Sequence, residues 1–446
     1  MFLEKYTREF PTNLKMAYPI MLGQIGHVLV GLVDNIMVGK LGASALAAVS
    51  LGNGLFFIAM SIAIGFSFAI TPLTAEADGQ ESIEKAKAFF KNGILICTII
   101  GILLFVLIKL SQPFLVLLNQ PEEVLIIANP YIDIIAYSLV PFAIYQAIKQ
   151  FSDGMSATKY AMYATVIANL INVLLNYLLI YGKWGFPKME VEGAALGTLI
   201  SRFVMLAFLV VSLKNSKKFK VYFVSFFKDI YNRIAISRLL KLGFPSALQM
   251  LFEFGIFTSS VFLSGVLSTE SQAANQIVLN LASMTFMVVV GLGVTSTVRV
   301  GNQVGKNNYI ELERIMRSIF LLVFIIQCFF ALIFVLFKDY LPLFYIDDVK
   351  VVAIASQLLL MVALFQLSDG FQVTILGALR GMQDVNVPTL LLFIAYWCIG
   401  FPVAYFLGKE NWLGAFGIWV GLFVGLSVSS FLLFIRYRYL ISEKNK

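Results

Sequence analysis

Long runs of apolar residues, separated by short polar or Gly/Pro-rich stretches, recur along the whole chain. Each run is long enough, at about 20 residues or more, for an α-helix to cross about 30 Å of hydrocarbon. Twelve such runs can be placed, the first at residues 14–38 and the last at residues 413–435. The regular alternation expected of strands in a membrane barrel is missing. The pattern therefore predicts an all-α polytopic membrane protein with twelve transmembrane helices.

The composition supports this class and argues against several others. Of 446 residues, 59% are hydrophobic and 13% are charged, whereas a soluble domain has about 25% charged residues. The three cysteines, Cys97, Cys328 and Cys398, lie far apart in apolar runs, so we expect neither a metal site nor a disulfide. The chain has no phosphate-binding Gly-Lys-Ser/Thr pattern and no recognisable Ser/His/Asp arrangement. We expect no enzyme activity, no ATP-driven pumping and no cofactor.

The distribution of Lys and Arg predicts the orientation in the membrane. With both termini on one side, that side carries 24 of the 33 basic residues and the other side carries seven. Because cytoplasmic loops are rich in Lys and Arg, we expect both termini in the cytoplasm and a location in the inner (cytoplasmic) membrane. The same rule explains the net charge of +8, so no nucleic-acid partner is needed. The basic stretch at residues 214–238 is expected to lie on anionic lipid headgroups.

The chain contains an internal repeat. Residues 14–80 align without a gap on residues 240–306, at an offset of 226, with 12 identities in 67 pairs. The identities include residues with special backbone needs, namely Pro19/Pro245, Gly39/Gly265, Gly65/Gly291 and Gly79/Gly305. The repeat predicts two six-helix lobes, at residues 1–213 and 239–446, joined by the cytoplasmic loop at 214–238. Two such lobes facing each other are a recurrent transporter design.

A few carboxylates fall inside the predicted spans. Burying a charge at bilayer depth costs at least about 2.5–3.5 kcal/mol, so such residues usually have a function. Glu253 lies 12 residues beyond Lys241, which is about 18 Å along a helix. Asp369 lies 19 residues beyond Lys350, again at depth, and Asp34 lies in the outer part of the first span. These three acids are the candidate functional carboxylates.

Several motifs resemble those of the multidrug and toxic compound extrusion (MATE) transporters, most closely the NorM-like branch. They are Val-Asp-Asn-Ile-Met-Val-Gly-Lys-Leu-Gly at 33–42, Asn-Val-Leu-Leu-Asn-Tyr at 172–177, Gly-Ala-Ala-Leu-Gly-Thr at 193–198, Gly-Phe-Pro at 243–245 followed by Glu253, Ser-Asp-Gly-Phe-Gln at 368–372 and Leu-Arg-Gly-Met-Gln-Asp at 379–384. They cover nearly the whole chain and fall in the family's order. The resemblance implies a secondary active exporter of small organic cations, working by antiport with H⁺ or Na⁺ and by alternating access of two lobes. We expect it to act as a monomer in the lipid bilayer.

The resemblance implies a cation site in the C-terminal lobe at Glu253 and Asp369, where the bound ion is H⁺ or Na⁺. Two amides on the eighth span, Asn275 and Gln276, fall near Glu253 if the repeat geometry holds. They are candidate cation ligands, and helix–helix hydrogen bonding is the alternative.

In the N-terminal lobe, the resemblance implies that Asp34 binds a proton or a cation. Its expected partners are Asn172 and Asn176 on the fifth span. The second of these positions is an aspartate in some archaeal-type relatives, so Asn176 weakens the case for a site with two carboxylates. Thr198 on the sixth span is a further candidate oxygen donor.

Two basic side chains are candidates for supporting roles. His27 is the only histidine and is the repeat counterpart of Glu253; it also precedes Asp34 by seven residues, two turns on roughly the same face. It is either a proton relay or an ordinary core residue. Arg202 lies within the sixth span, where it either pairs with Asp34 or forms a structural ion pair.

The coupling ion and the substrate stay open. In the Na⁺-coupled branch a tyrosine four residues before the tenth-span aspartate helps to hold the ion, and here that position is Phe365. A hard cation needs oxygen ligands, so H⁺ coupling is an equal alternative. Among other function classes, a lipid-linked precursor flippase of the same superfamily would need a cationic cleft, and a membrane-embedded enzyme would need a reactive cluster.

Overall fold

The structure is a computed structural model that describes residues 4–118, 121–224, 226 and 231–444. Every regular element in these residues is helical. Twelve helices of this part of the chain are long and apolar enough to cross a membrane. The predicted all-α class and the predicted number of spans are confirmed.

The twelve long helices are named α1 to α12 in chain order. They are α1 Phe10–Gly39, α2 Ala43–Gly79, α3 Ile83–Val116, α4 Glu122–Gly154, α5 Lys159–Tyr181, α6 Glu190–Asn215, α7 Arg233–Leu267, α8 Thr269–Gly305, α9 Tyr309–Leu336, α10 Val349–Gly381, α11 Asn386–Leu407 and α12 Gly414–Lys444. Short helical turns lie at Glu4–Thr7, Lys220–Val224 and Pro342–Phe344. Residues 225 and 227–230 of the predicted inter-lobe loop lie outside the described residues.

Several helices depart locally from ideal α geometry. The α-helical hydrogen bonding of α2 breaks between Ser67 and Ile70, and that of α4 breaks at Ser138. In α11 the segment Ile394–Gly400 is a π-helix. π-Helical turns are rare and often mark functional positions, which makes this part of α11 a candidate for site residues.

The chain packs into two compact units. The C-terminal unit comprises Met1–Met21, Ala75–Glu81 and Leu248–Lys446, and the N-terminal unit comprises Leu22–Thr74 and Ser82–Ala247. Both α1 and α7 therefore begin in one unit and end in the other. These units are defined by packing, whereas the predicted lobes at residues 1–213 and 239–446 are continuous segments of the chain. The lobe boundaries therefore stay a prediction.

Close helix–helix contacts at glycines accompany the change of units at the starts of α1 and α7. In the C-terminal unit, a Cβ on Gly291 of α8 would lie 3.0 Å from the carbonyl oxygen of Ala17 on α1. In the N-terminal unit, a Cβ on Gly243 of α7 would lie 2.7 Å from the ring of Phe66 on α2. Ala17 and Gly243 are repeat partners, since they are 226 residues apart. In both halves of the repeat, the first helix therefore begins in the unit opposite to the one in which it ends.

Each unit has its own apolar interior. In the C-terminal unit, α10 packs against α8, α9 and α12, and its buried core includes Trp419 and Phe365. In the N-terminal unit, α5 packs on α6, and α4 packs on α3 and α2. Phe142 and Tyr145 on α4 are fully or almost fully buried there. These two interiors hold the polar side chains described next.

Candidate functional site

Two carboxylates lie in the interior of the C-terminal unit, Glu253 on α7 and Asp369 on α10. Asp369 is 3% exposed. One oxygen of each carboxylate, Oε1 of Glu253 and Oδ1 of Asp369, is buried without a hydrogen-bond partner among the described residues. Both predicted acids therefore have a buried, unpaired oxygen in the same unit. Buried polar atoms in proteins are normally paired, so the two free oxygens indicate room for a proton, an ion or water.

Arg380 is the basic group that accompanies this pair. Its Nε and one terminal nitrogen donate to Oε1 of Gln249 at 3.2 and 2.8 Å. Gln249 lies one turn before Glu253 on α7, and the Arg380 charge acts on Glu253. Arg380 lies in the last turn of α10.

Tyr396 is a further residue that sequence reasoning missed. It lies in the π-helical segment Ile394–Gly400 of α11 and is 2% exposed. Its hydroxyl is buried and has no hydrogen-bond partner among the described residues. Tyr396 therefore adds an unpaired hydroxyl to the interior of the C-terminal unit.

Gln366 was also missed. It precedes Asp369 by three residues, is 1% exposed, and neither polar atom of its amide has a hydrogen-bond partner within the described chain. A glutamine in an apolar span is a visible signal, since a buried unpaired amide costs roughly 1–3 kcal/mol. This amide adds to the unfilled hydrogen-bonding capacity around the carboxylates.

The two predicted amides of α8 differ in position. Asn275 is fully buried, and its Oδ1 accepts a hydrogen bond of 2.9 Å from Nε1 of Trp419 on α12. This is the helix–helix bond that was the alternative to cation binding. Gln276 is exposed and donates to Asn280 on its own helix at 3.5 Å. No bond in the described structure joins Gln276 to the carboxylates.

In the N-terminal unit, the predicted partners of Asp34 form a hydrogen-bonded chain. Nδ2 of Asn176 donates to Oδ1 of Asp34 at 2.6 Å and to Oδ1 of Asn172 at 3.3 Å. Nδ2 of Asn172 then donates to the Thr198 hydroxyl at 3.4 Å. The chain links α1, α5 and α6. Asn176 also packs closely against α6, because a Cβ on Gly197 of that helix would lie only 2.2 Å from the Asn176 Oδ1.

Arg202 lies one turn after Thr198 on α6 and does not pair with Asp34. Its guanidinium carbon is 4.5 Å from the ring centre of Phe56 on α2 and 4.7 Å from that of Phe142 on α4. Both distances are typical of cation–π contacts. The charges of Arg202 and Asp34 still act on each other, so the two groups share one neighbourhood.

His27 lies on α1 in the same unit. The charged groups that act on its imidazole are Arg202 and Lys149. Lys149 is paired with Asp153, one turn later on α4, at 2.8 Å. The proposed relay from His27 to Asp34 is not supported by a hydrogen bond between them in this structure, and the role of His27 stays a prediction.

The MatE family profile matches this chain in two stretches, residues 19–178 and 245–406. Their starts are 226 residues apart, which is the offset of the internal repeat. The chain belongs to the MatE family.

Relatives within this MATE family cover almost the full chain. The multidrug resistance protein NorM of Photobacterium profundum is 30% identical over 100% of this chain and 98% of its own length. The probable multidrug resistance protein NorM of Idiomarina loihiensis is 31% identical over 96% of this chain and 94% of its own. A crystal structure of a mutant of the Vibrio cholerae MATE transporter VcmN has the same fold, with a TM-score of 0.89, 18% identity and 99% and 98% coverage.

The protein is therefore a NorM-like MATE transporter and not an enzyme. Four further acids lie at or next to helix ends. They bond to polar or basic neighbours of their own unit, in the pairs Asp153–Lys149, Asp384–Arg436, Glu76–Gln383 and Asp78–Asn302. Such contacts fix helix ends, so the interior carboxylates remain the candidate transport residues of this MATE protein.

Proposed function

We propose that this MATE transporter exports small organic cations and other toxic compounds by antiport with H⁺ or Na⁺. The multidrug resistance names of its NorM relatives support export of drugs. The observation that carries the proposal is the pair Glu253 and Asp369, each with a buried oxygen that has no partner in the described chain. Movement of two lobes in alternating access is the transport mechanism that the internal repeat favours.

The interior carboxylates provide a physical basis for exchange. A proton or small metal cation and an organic cation compete for the same negative charges, so binding of one favours release of the other. The surrounding aromatic rings can add cation–π attraction for flat cations. The unpaired amide of Gln366 and the hydroxyl of Tyr396 supply oxygens that can hold either a hydrated proton or Na⁺.

We further propose that the protein works in the cytoplasmic membrane as a monomer, with both termini in the cytoplasm. Its only small partners are then the exported compound and the coupling ion, with no bound cofactor. The excess of basic residues on the side of the termini supports this orientation.

Transport in everted membrane vesicles tests the proposal. A fluorescent organic cation is added, and either a Na⁺ gradient or a pH gradient is imposed. Accumulation driven by at least one gradient is expected, and the effective gradient identifies the coupling ion. If neither gradient moves the cation, the antiport proposal is wrong. Movement of a lipid-linked precursor by the same vesicles would favour a flippase instead.

Neutralising the carboxylates tests their role. We expect Glu253→Gln and Asp369→Asn to abolish gradient-driven uptake while the proteins still insert and purify. Asp339→Asn is a matched control, because Asp339 lies outside the long helices, is exposed and pairs with its neighbour Lys338. Normal transport by either interior variant would remove that residue from the coupling site.

A further inference from the structure

Residues 214–224, the basic segment, lie at the end of α6 and just beyond it, and they are folded onto the N-terminal unit. Phe219 is fully buried and Tyr222 is 5% exposed. The ring of Phe151 on α4 makes edge contacts with both of them, at centroid distances of 6.1 and 5.1 Å. Phe223 makes an edge contact with Phe90 on α3 at 5.3 Å. These aromatic contacts fix the orientation of the basic segment against α3 and α4.

The residues that lead into α7 are held by the same helix. Nζ of Lys91 on α3 lies 5.7 Å from the ring centre of Phe226 and 4.7 Å from that of Tyr231. Phe226 also makes an edge contact with Phe90 at 5.7 Å. Both distances of Lys91 are within the range of cation–π contacts. The chain is therefore attached to α3 on both sides of the connection between α6 and α7.

The exposed side chains of the basic segment combine positive charge with apolar surface. The segment contains four lysines and no acidic residue. Four of its exposed residues have the i, i+3, i+4, i+7 spacing of one helix face, namely Lys217, Lys220, Val221 and Val224. Val224 is 72% exposed. Neither Lys217 nor Lys220 forms an ion pair with another residue that the structure describes. This face therefore has free charge and uncovered apolar groups side by side.

The position of this face next to a membrane span indicates its partner. Lys214 is in the last turn of α6, and Lys217 follows three residues later, so the lysines lie where a spanning helix leaves the hydrocarbon. Anionic lipid headgroups attract lysine clusters directly beside a span. Apolar side chains of interfacial helices enter the boundary between headgroups and acyl chains. A free polyanion would bind the lysines alone, whereas a bilayer surface offers an anionic layer and an apolar layer together.

We propose that Lys217, Lys220, Val221 and Val224 form a docking surface for anionic phospholipids of the leaflet on the side of the chain termini. The two lysines contact lipid phosphates, and the two valines reach the boundary between headgroups and acyl chains. The sequence predicts only that a basic stretch lies near such headgroups, whereas the structure assigns the contact to one face of a segment that is packed on α3 and α4. The inference is independent of the exported compound and of the coupling ion.

The test measures how lipids stabilise the purified full-length protein in detergent. Phosphatidylglycerol or phosphatidylcholine is added to the micelles, and the Tm is determined by gel filtration after heating. Because a ligand of the folded state raises the Tm, we expect a larger rise with the anionic lipid than with the neutral one. The double variant Lys217→Gln/Lys220→Gln should lose about half or more of that difference. Its Tm without added lipid should stay unchanged, since both lysines are exposed and unpaired within the described chain.

The matched control is Lys40→Gln/Lys183→Gln, which removes two exposed lysines of the same unit at the opposite ends of the spans; it should keep the full difference. Val224→Asn should reduce the rise with phosphatidylglycerol, because the apolar contact is lost. The proposal is wrong if the Lys217/Lys220 variant responds like the control, or if it loses stability without lipid and keeps the full difference. It is also wrong if glycerol phosphate, which has the charge without acyl chains, raises the Tm as much as phosphatidylglycerol, or if Val224→Asn leaves the rise unchanged. The readout is stability, so it decides the matter whether or not the vesicles transport a cation.

Discussion

A single methyl group at Gly79 should destabilise the protein. Gly79 ends α2, and a Cβ placed there would lie 2.2 Å from the carbonyl oxygen of Asn302 on α8. The repeat-related contact has the same form, because a Cβ on Gly305 would lie 2.3 Å from the carbonyl oxygen of Glu76. Both contacts are within the C-terminal unit. The two helix ends therefore touch backbone to backbone at two places.

The structure sets the size of the effect. Real Cβ atoms stay at least 3.0 Å from other heavy atoms, so Gly79→Ala must push the two backbones apart by about 0.8 Å. The obstacle is a carbonyl group in a helix, which cannot rotate away as a side chain would. Overpacking of this kind typically costs about 1–3 kcal/mol. Alanine also has a helix preference over glycine of up to about 1 kcal/mol, which offsets part of that cost.

A second glycine on α2 provides a control for the contact between Gly79 and Asn302. Gly54 is on the same helix and has nothing within 4 Å of an added Cβ, so Gly54→Ala has the helix gain without the clash. Thermal unfolding in detergent, followed by fluorescence or by gel filtration after heating, should give a lower Tm for Gly79→Ala and an equal or higher Tm for Gly54→Ala. If Gly79→Ala is as stable as Gly54→Ala, the backbone contact does not exist as described.

Two other substitutions test separate parts of the protein. Glu9 bridges Arg299 at 2.9 Å and Arg314 at 3.0 Å and is mostly buried, so Glu9→Gln should lower the free energy of unfolding by about 1–3 kcal/mol, because it leaves two charges poorly paired. The control is Glu311→Gln, at a more exposed pair, which should change the Tm little. Equal changes in Tm for the two variants would contradict this prediction. Phe365→Tyr places a hydroxyl where the Na⁺-coupled branch has one, so the ratio of Na⁺-driven to pH-driven uptake in vesicles should rise; an unchanged ratio would show that this oxygen does not select the ion.

Much of the fold follows from local patterns in the sequence. Apolar length predicts the twelve helices, because each must satisfy its backbone hydrogen bonds within the bilayer. The repeat was visible because glycines and a proline recur in step, as in Gly79/Gly305. The exchange of the starts of α1 and α7 between the packing units could not be predicted. It depends on which distant helix Ala17 and Gly243 contact, and a local sequence pattern does not specify contacts between distant helices.

In the candidate site, the charged residues could also be predicted from the sequence, whereas their partners could not. The cost of burying charge identified Glu253, Asp369 and Arg202 one at a time. Their partners were not predictable, because partners such as Phe142 are ordinary apolar residues of other helices. Tyr396 was not predictable for a similar reason, since a tyrosine in an aromatic-rich span stands out only when the structure shows its hydroxyl buried and unpaired in a π-helical turn.

The internal repeat itself shows where the two halves had to stay alike. Gly79 and Gly305 match because each meets a backbone carbonyl, and any side chain there would force two helices apart. His27 and Glu253 occupy equivalent positions but differ in chemistry. Inside a helical unit such a position constrains no backbone, so its charge is free to change without altering the packing. The shared architecture therefore follows from backbone contacts, whereas a base-containing N-terminal unit and an acid-rich C-terminal unit follow from a few interior side chains.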